Sequence, residues 1–107
     1  MDFMDKRILV TGGSRGIGRA AVEAFVAGGA RVAVNGRTAE STAAGIAAMA
    51  SGGSRDGLLA APGDISTVAG CDAAVSAAVD ALGGLDVLVN SAGIGKDGLI
   101  EGFDEAA

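Results

Sequence analysis

The sequence predicts an α/β fold in which a parallel sheet carries helices on both faces. Short apolar runs alternate with longer Ala-rich stretches of helical periodicity, which is the pattern of consecutive βαβ units. The first run, residues 7–11, has the continuous apolar centre Ile8-Leu9-Val10, as in a strand buried on both faces. Glycine pairs at 28–29, 52–53 and 83–84 follow the three helical stretches, at positions where helices commonly end.

Four strands and three helices are expected in turn. Strands are predicted over 7–11, 31–35, 58–61 and 86–90, and helices over 17–28, 39–50 and 67–82. Right-handed crossovers with a strand order of 3-2-1-4 place the first two helices on one face of the sheet and the third on the other. Ser66 is expected to cap the third helix. The helical residues expected to face the sheet are Ile17, Ala21, Ala24, Phe25 and Gly28, then Ile46 and Met49, then Val68, Cys71, Val75, Ala78, Val79 and Leu82.

Charge and composition exclude several classes of function. The 107 residues suffice for one domain, and a net charge of −5 without a Lys/Arg cluster argues against nucleic-acid binding. The sequence holds no histidine, so imidazole zinc sites and Ser-His or Cys-His catalysis are excluded within it. Cys71 is the only cysteine, and we interpret it as a small core residue rather than a nucleophile.

The same features predict a cytoplasmic protein. A single cysteine allows no internal disulfide, which is typical of a reducing compartment. Residues 1–7 include acids and are not expected to form a signal peptide. No stretch approaches the ~18 apolar residues of a membrane span.

Residues 10–18 form a glycine-rich turn between the first strand and the first helix. Gly16, Gly18 and Ala21 fit the spacing G-x-G-x-x-A. Glycines let the backbone approach a ligand, and the free N–H groups of a helix N-terminus attract a phosphate. An ordinary glycine-rich turn is the alternative, but the position between strand and helix favours a Rossmann-like phosphate site.

Two motifs resemble those of the short-chain dehydrogenase/reductase family. Residues 11–18, Thr-Gly-Gly-Ser-Arg-Gly-Ile-Gly, are similar to its T-G-x-x-x-G-I-G signature. Residues 90–93, Asn-Ser-Ala-Gly, resemble its N-N-A-G motif, with Ser91 in place of the second Asn and keeping a donor and an acceptor. The resemblance is strongest to the 3-oxoacyl-carrier-protein reductase-like branch. It implies that residues 1–107 are the N-terminal dinucleotide-binding part of a family domain, truncated after the fourth strand.

The resemblance also implies a nicotinamide dinucleotide site. Ser14 and Arg15 would reach phosphate oxygens, Asp64 would accept from the adenine amino group, and Ile65 would pack beside that ring. Ser14 as a solvated turn residue and Asp64 as a cap of the next helix are the alternatives. The predicted cofactor-binding residues are Gly12, Ser14, Arg15, Gly16, Ile17, Gly18, Arg37, Asp64, Ile65, Asn90, Ala92 and Gly93.

The end of the second strand favours NADP(H) over NAD(H). A carboxylate there would bond the ribose 2′-hydroxyl and repel a 2′-phosphate. The chain instead has Asn35-Gly36-Arg37, and the planar guanidinium of Arg37 suits a phosphate, with Arg15 able to approach from the other side. The alternative is that Arg37 is a solvated residue at the start of a helix.

The resemblance assigns no catalytic residue to this chain. In the family, hydride transfer depends on a Tyr-x-x-x-Lys pair supported by a Ser and an Asn. The sequence contains no tyrosine, and neither Lys6 nor Lys96 stands in such a motif. We therefore expect the chain alone to be inactive.

Two functions are compatible with these observations. The first is the NADP(H)-binding portion of an oxidoreductase that transfers hydride between a nicotinamide cofactor and a carbonyl or alcohol substrate. The second is a stand-alone, non-catalytic dinucleotide-binding module. In either case the fourth strand is expected to have an open apolar edge, which favours a homo-oligomer or a complementing chain.

Overall fold

The computed structural model describes residues 3–13, 16–50 and 57–91. Every predicted element is present within one residue of its expected bounds. The elements in chain order are β1 (Arg7–Thr11), α1 (Gly16–Ala27), β2 (Arg31–Val34), α2 (Ala39–Ala50), β3 (Leu58–Ala60), α3 (Val68–Leu82) and β4 (Val87–Asn90).

The four strands form a parallel sheet in the order β3-β2-β1-β4, which confirms the predicted topology. In the register of the sheet, Leu9 of β1 lies between Ala33 of β2 and Leu88 of β4. β1 is therefore central, and four of its five residues are buried.

Two apolar cores lie on opposite faces of the sheet, because alternate residues of a strand point to opposite sides. α1 and α2 cover one face and α3 covers the other, as predicted. The first core contains Ile8, Val10, Val32 and Val34 of the strands with Val22, Ile46 and Met49 of the helices. The second contains Leu9 and Ala33 of the strands with Ala61, Ala78 and Leu82.

The predicted inner face of α1 was wrong in part. Gly18 and Val22 are its buried residues, whereas Ile17 is 60% exposed and Ala24 is exposed. The physical reason is a backbone contact: α1 packs at Gly18 directly against the turn that precedes it, and this contact fixes the rotation of the helix. A hydropathy pattern does not assign glycine to the buried face of a helix, so it does not predict this contact.

The predicted inner face of α3 was also wrong in part. Ala78 and Leu82 are buried as predicted, together with Ala74, whereas Val68, Val75 and Val79 are exposed. Small residues face the sheet here because the helix lies close to the preceding loop. A Cβ at Gly70, for example, would overlap the backbone of Asp64.

Thr67, rather than Ser66, caps α3. Its hydroxyl accepts from Gly70 N at 2.9 Å. Ser66 is unavailable because its hydroxyl donates to Asp64 Oδ1 at 2.6 Å. The other end of α3 follows the prediction, since Gly83 adopts a left-handed φ of 82° and its N–H donates to Val79 O.

Asp86 is bound by Arg7 at the amino end of the sheet. The guanidinium donates to both carboxylate oxygens, at 3.0 and 3.1 Å, and also to Gly83 O at 3.1 Å. Hydrogen bonds from the side chain and the backbone N–H of Arg7 lower the pKa of Asp86 to about 2. This contact joins β1 to the segment between α3 and β4.

Candidate functional site

The carboxyl ends of β1 and β4 meet at the position where the strand order reverses. Thr11 Oγ1 donates to Asn90 Oδ1 at 2.9 Å, and Thr11 O accepts from both the N–H and the hydroxyl of Ser91. Ser91 thus uses its hydroxyl as a donor to the neighbouring strand. In open parallel sheets, ligands bind in the crevice outside such a reversal.

The glycine-rich turn packs tightly against the first turn of α1 at this crevice. Gly12 and Gly16 have positive φ angles of 68° and 64°, which residues with a side chain rarely adopt. A Cβ at Gly18 would overlap Gly12 O and lie 2.5 Å from Ser91 Oγ. The first turn of α1 can therefore contact both the preceding turn and the end of β4 only because residue 18 is glycine.

Asn35 links three loops at the carboxyl ends of the strands. It is 1% exposed, and its Oδ1 accepts from Gly12 N at 3.0 Å. Its Nδ2 lies within hydrogen-bonding distance of Ala61 O at 2.8 Å, Gly63 O at 3.1 Å and Gly36 O at 3.2 Å. The side chain thus ties the β1–α1 turn to the β3–α3 loop.

Sequence reasoning missed this role of Asn35. From the sequence, Asn35 was interpreted only as a position after β2 where no acid stands, two residues before the arginine expected to bind a phosphate. The available signal was a polar amide at the end of an otherwise apolar strand, since a buried polar group requires partners.

Arg37 and Asp64 lie side by side at the carboxyl ends of β2 and β3. Arg37 Nε is 3.4 Å from Asp64 Oδ2, and the Arg37 side chain is 79% exposed. Asp64 Oδ1 accepts from the N–H and the hydroxyl of Ser66, which lowers the pKa of Asp64, with a smaller contribution from Arg37. The carboxylate is therefore ionised at neutral pH.

The predicted site residues that the structure describes all lie at or just beyond the carboxyl ends of the strands. Ile17 and Asn90 are exposed, and Ile65 is partly buried with its carbonyl accepting from Cys71 Sγ. Ser14, Arg15, Ala92 and Gly93 lie outside the described residues. The described members are Gly12, Gly16, Ile17, Gly18, Arg37, Asp64, Ile65 and Asn90.

Neither a metal site nor a membrane-spanning helix is found in the described ranges. No group of three or more Cys, Asp or Glu side chains is arranged there to hold a metal ion. Nor does any of the described helices have both the length and the apolar character needed to cross a membrane.

A parallel sheet of order 3-2-1-4, with a glycine-rich turn at the reversal, is the arrangement of an α/β protein of the Rossmann type. Within that class, the profile of the short chain dehydrogenases matches residues 6–107. The chain belongs to the short-chain dehydrogenase family.

Known proteins similar to the chain are oxidoreductases. It is 41% identical to an L-rhamnose 1-dehydrogenase (NAD(P)(+)) of Azotobacter vinelandii over 88% of this chain and 38% of that protein. A 3-ketoacyl-(acyl-carrier-protein) reductase from Brucella melitensis, solved in complex with NADH, aligns with a TM-score of 0.69 at 33% identity, over 81% of this chain and 34% of that one.

A second solved structure, the RhlG/NADP active-site complex of Pseudomonas aeruginosa, aligns with a TM-score of 0.71 at 35% identity. The alignment covers 83% of this chain and 35% of that one. The chain thus spans between a third and two fifths of the length of these relatives. Both nicotinamide cofactors occur among them, NADH in one complex and NADP in the other.

Proposed function

We propose that residues 1–107 are the NADP(H)-binding N-terminal part of an oxidoreductase that interconverts a carbonyl and an alcohol. The nicotinamide, when bound, would supply or accept the hydride. Within the family, we place the chain nearest to the 3-oxoacyl-carrier-protein reductase-like branch. The similarity to the Brucella reductase supports this placement.

One observation carries the proposal: Asn35 joins the glycine-rich turn to the loops that bear Arg37 and Asp64. A dinucleotide site needs its phosphate-binding and adenosine-binding loops at fixed separation before the ligand arrives, because ordering them on binding reduces affinity. A buried amide with partners in both loops provides that fixed separation.

The described residues fit a dinucleotide. The left-handed conformation of Gly12 and Gly16 and the close contact at Gly18 mean that these three positions present backbone rather than side chains. An α-helix leaves its first N–H groups without an acceptor inside the helix, and such groups attract a diphosphate. Gly12 lies in the turn before α1, and its N–H donates to Asn35 Oδ1, so this N–H is not available to a phosphate. Ser14, Arg15, Ala92 and Gly93 are proposed as additional contacts on the family motifs alone.

The preference for NADP(H) rests on charge at the end of β2. The residues that follow β2 are Asn35, Gly36 and Arg37, so no carboxylate is available to bond a ribose 2′-hydroxyl at that position. Arg37 is exposed and positively charged, and its guanidinium can form two parallel hydrogen bonds to a phosphate. The 2′-phosphate of NADP(H) is the group that such a side chain distinguishes.

Titration of the chain with NADPH and NADH, followed by calorimetry or by the fluorescence of the reduced nicotinamide, tests the proposal. We expect tighter binding of NADPH, and we expect R37M to remove most of that preference while leaving NADH binding unchanged. The matched control is K6M, which removes one exposed positive charge just before β1. Lys6 lies at the amino ends of the strands, whereas Arg37 lies at their carboxyl ends. Equal affinity of the wild type for both dinucleotides would refute the preference for NADP(H), and no binding of either would refute the site.

The second candidate is a dinucleotide-binding module without catalysis. It is favoured by the absence of tyrosine from the sequence, because the family's proton donor is then missing from this chain. The reading frame after the Ala107 codon separates the two functions. A downstream Ser followed by Tyr-x-x-x-Lys supports the oxidoreductase, and a stop codon supports the module.

A further inference from the structure

We propose that Asp64 is a positioning residue for cofactor selection: it holds the Arg37 guanidinium by the Nε edge and so presents the two terminal nitrogens to the 2′-phosphate. This inference rests on the proposed function, because it requires that Arg37 faces an adenosine 2′-phosphate. It adds a specificity-determining role for a carboxylate that lies on a different strand from the arginine.

The backbone fixes the two residues next to each other. Gly63 N donates to Gly36 O at 3.0 Å, and these glycines directly precede Asp64 and Arg37. Asn35 Nδ2 reaches Gly63 O from the other side, at 3.1 Å. The loops that follow β2 and β3 are therefore joined by hydrogen bonds directly beside Arg37 and Asp64, which keeps the two residues next to each other.

Asp64 is the more rigid partner of the pair. Its Oδ1 accepts two hydrogen bonds from Ser66, and its backbone carbonyl accepts from the N–H and the hydroxyl of Thr67. Its backbone also lies against Gly70, where a Cβ would overlap it. Oδ2 is therefore held at a fixed place before the first turn of α3, and the flexible Arg37 side chain adapts to it.

The stereochemistry of the pair leaves the phosphate-binding edge of the arginine free. A guanidinium has five N–H donors in a planar fork, and a phosphate is bound most strongly by two of them in parallel. Asp64 contacts Nε, and within the described part of the chain no hydrogen bond engages Nη1 or Nη2. The carboxylate and a phosphate can therefore bind the same guanidinium at the same time, on different edges.

The pair has little value for folding. Both side chains are at least one third exposed, and ion pairs between exposed charges contribute little to stability because water and salt screen them. Its main physical effect is to restrict the orientation of a long side chain. Removal of that restriction costs affinity at the moment of binding, since the side chain must then be ordered by the ligand.

The test uses two probes that differ only in the 2′-phosphate, adenosine 2′,5′-bisphosphate and adenosine 5′-monophosphate. The substitution D64N keeps an oxygen for Ser66 and removes the negative charge that holds Arg37. We expect D64N to weaken binding of the bisphosphate relative to that of the monophosphate by roughly 2- to 12-fold, the ratio that corresponds to the ordering cost of one long side chain. Both probes carry the adenine that Asp64 is expected to contact, so any change in that contact affects them equally and cancels in the ratio.

Three comparisons make this result specific. D64N should have no effect on the ratio of bisphosphate to monophosphate affinity in an R37M background, because Asp64 acts on the 2′-phosphate through Arg37. D72N, which removes an exposed carboxylate of α3, should not weaken bisphosphate binding. In the cofactor-free chain, the Nε–H resonance of Arg37 should show slowed exchange that D64N abolishes.

The outcomes separate this inference from the proposed function. If the wild type binds the bisphosphate no better than the monophosphate, the proposed preference for NADP(H) is wrong, and the role of Asp64 falls with it. If the wild type prefers the bisphosphate and D64N leaves that preference unchanged or strengthens it, only the positioning role is overturned. A stronger preference would show that the carboxylate competes with the phosphate.

Discussion

The side-chain carbonyl of Asn35 accepts from the backbone N–H of Gly12 at 3.0 Å, across the boundary between two neighbouring strands. The same side chain donates toward the loop after β3, so one buried amide contacts backbone on both sides of its own strand. A carboxylate at this position could satisfy Gly12 but not the carbonyls. The requirement for both a donor and an acceptor is specific to an amide.

We expect N35D to destabilise the chain. The substitution keeps the acceptor for Gly12 but places a carboxylate beside the carbonyls of Ala61 and Gly63, which lose their donor. Leaving buried polar groups without partners costs about 1–3 kcal/mol, and more when one is charged. Urea unfolding followed by circular dichroism measures the change.

The control for N35D is N90D, the same chemical change at the end of β4. Asn90 is exposed, and its Oδ1 already acts as an acceptor for Thr11, which a carboxylate also provides. Its effect should lie within about 0.5 kcal/mol. Equal effects of the two substitutions would contradict the linking role of Asn35.

G18A tests the contact between α1 and the turn. The added methyl group would overlap Gly12 O, which is backbone and cannot move aside as a side chain can. Overpacking of this kind costs typically about 1–3 kcal/mol, measured as a loss in the free energy of unfolding. G16N is the comparison, because Gly16 has open space around it and Asn tolerates a left-handed φ, so its cost should stay below about 1 kcal/mol. If G18A is as well tolerated as G16N, the close contact is not important for stability.

The sequence predicted the strands and helices because these depend on local signals that are strong in this chain, namely apolar runs and glycine pairs at helix ends. Right-handed crossovers then restrict how such elements can be arranged in a sheet. The register that brings Arg7 to Asp86 depends instead on residues 79 positions apart. No local pattern contains that pairing.

Which residues of each helix face the sheet could not be predicted from the sequence, for a related reason. Hydropathy predicted valines on the inner face of α3, but the structure buries Ala74 and Ala78 and leaves Val75 and Val79 partly exposed. The distance from helix to sheet decides which side chains fit, and that distance is set by contacts such as Gly70 against Asp64. At the site, Arg37 and Asp64 were each predicted to bind the cofactor, whereas their contact with one another was not predicted.

The ion pair between Arg7 and Asp86 should make stability depend on pH under acidic conditions. The pKa of Asp86 is lowered to about 2 in the folded chain, against about 3.9 for an unfolded Asp. A lowered pKa means that the stabilisation is present above the unfolded value and is lost as the pH falls through the folded one. The advantage of the wild type over D86N should therefore be constant near neutrality and shrink between about pH 4 and pH 2.

Urea midpoints of the wild type and D86N, measured across that range, check this prediction. D80N removes one negative charge from an exposed position of α3 and reports the effect of net charge alone. A difference between wild type and D86N that persists unchanged to pH 2 would show that the carboxylate does not act through its ionised form.

The exposed edge of the sheet should cause self-association of the chain. Within the described residues, β4 pairs only with β1, and Leu88 is 54% exposed beside Leu9 on the face that carries α3. An open apolar edge strand is a template for pairing with a second chain, and lysine on such an edge opposes that pairing.

Sedimentation velocity over a range of concentrations should show association of the wild type and a shift toward monomer in L88K. V68K is the control, because Val68 is equally apolar and 79% exposed but lies in the first turn of α3. A wild type that stays monomeric, or an equal effect of V68K, would show that the edge of β4 is not the surface responsible.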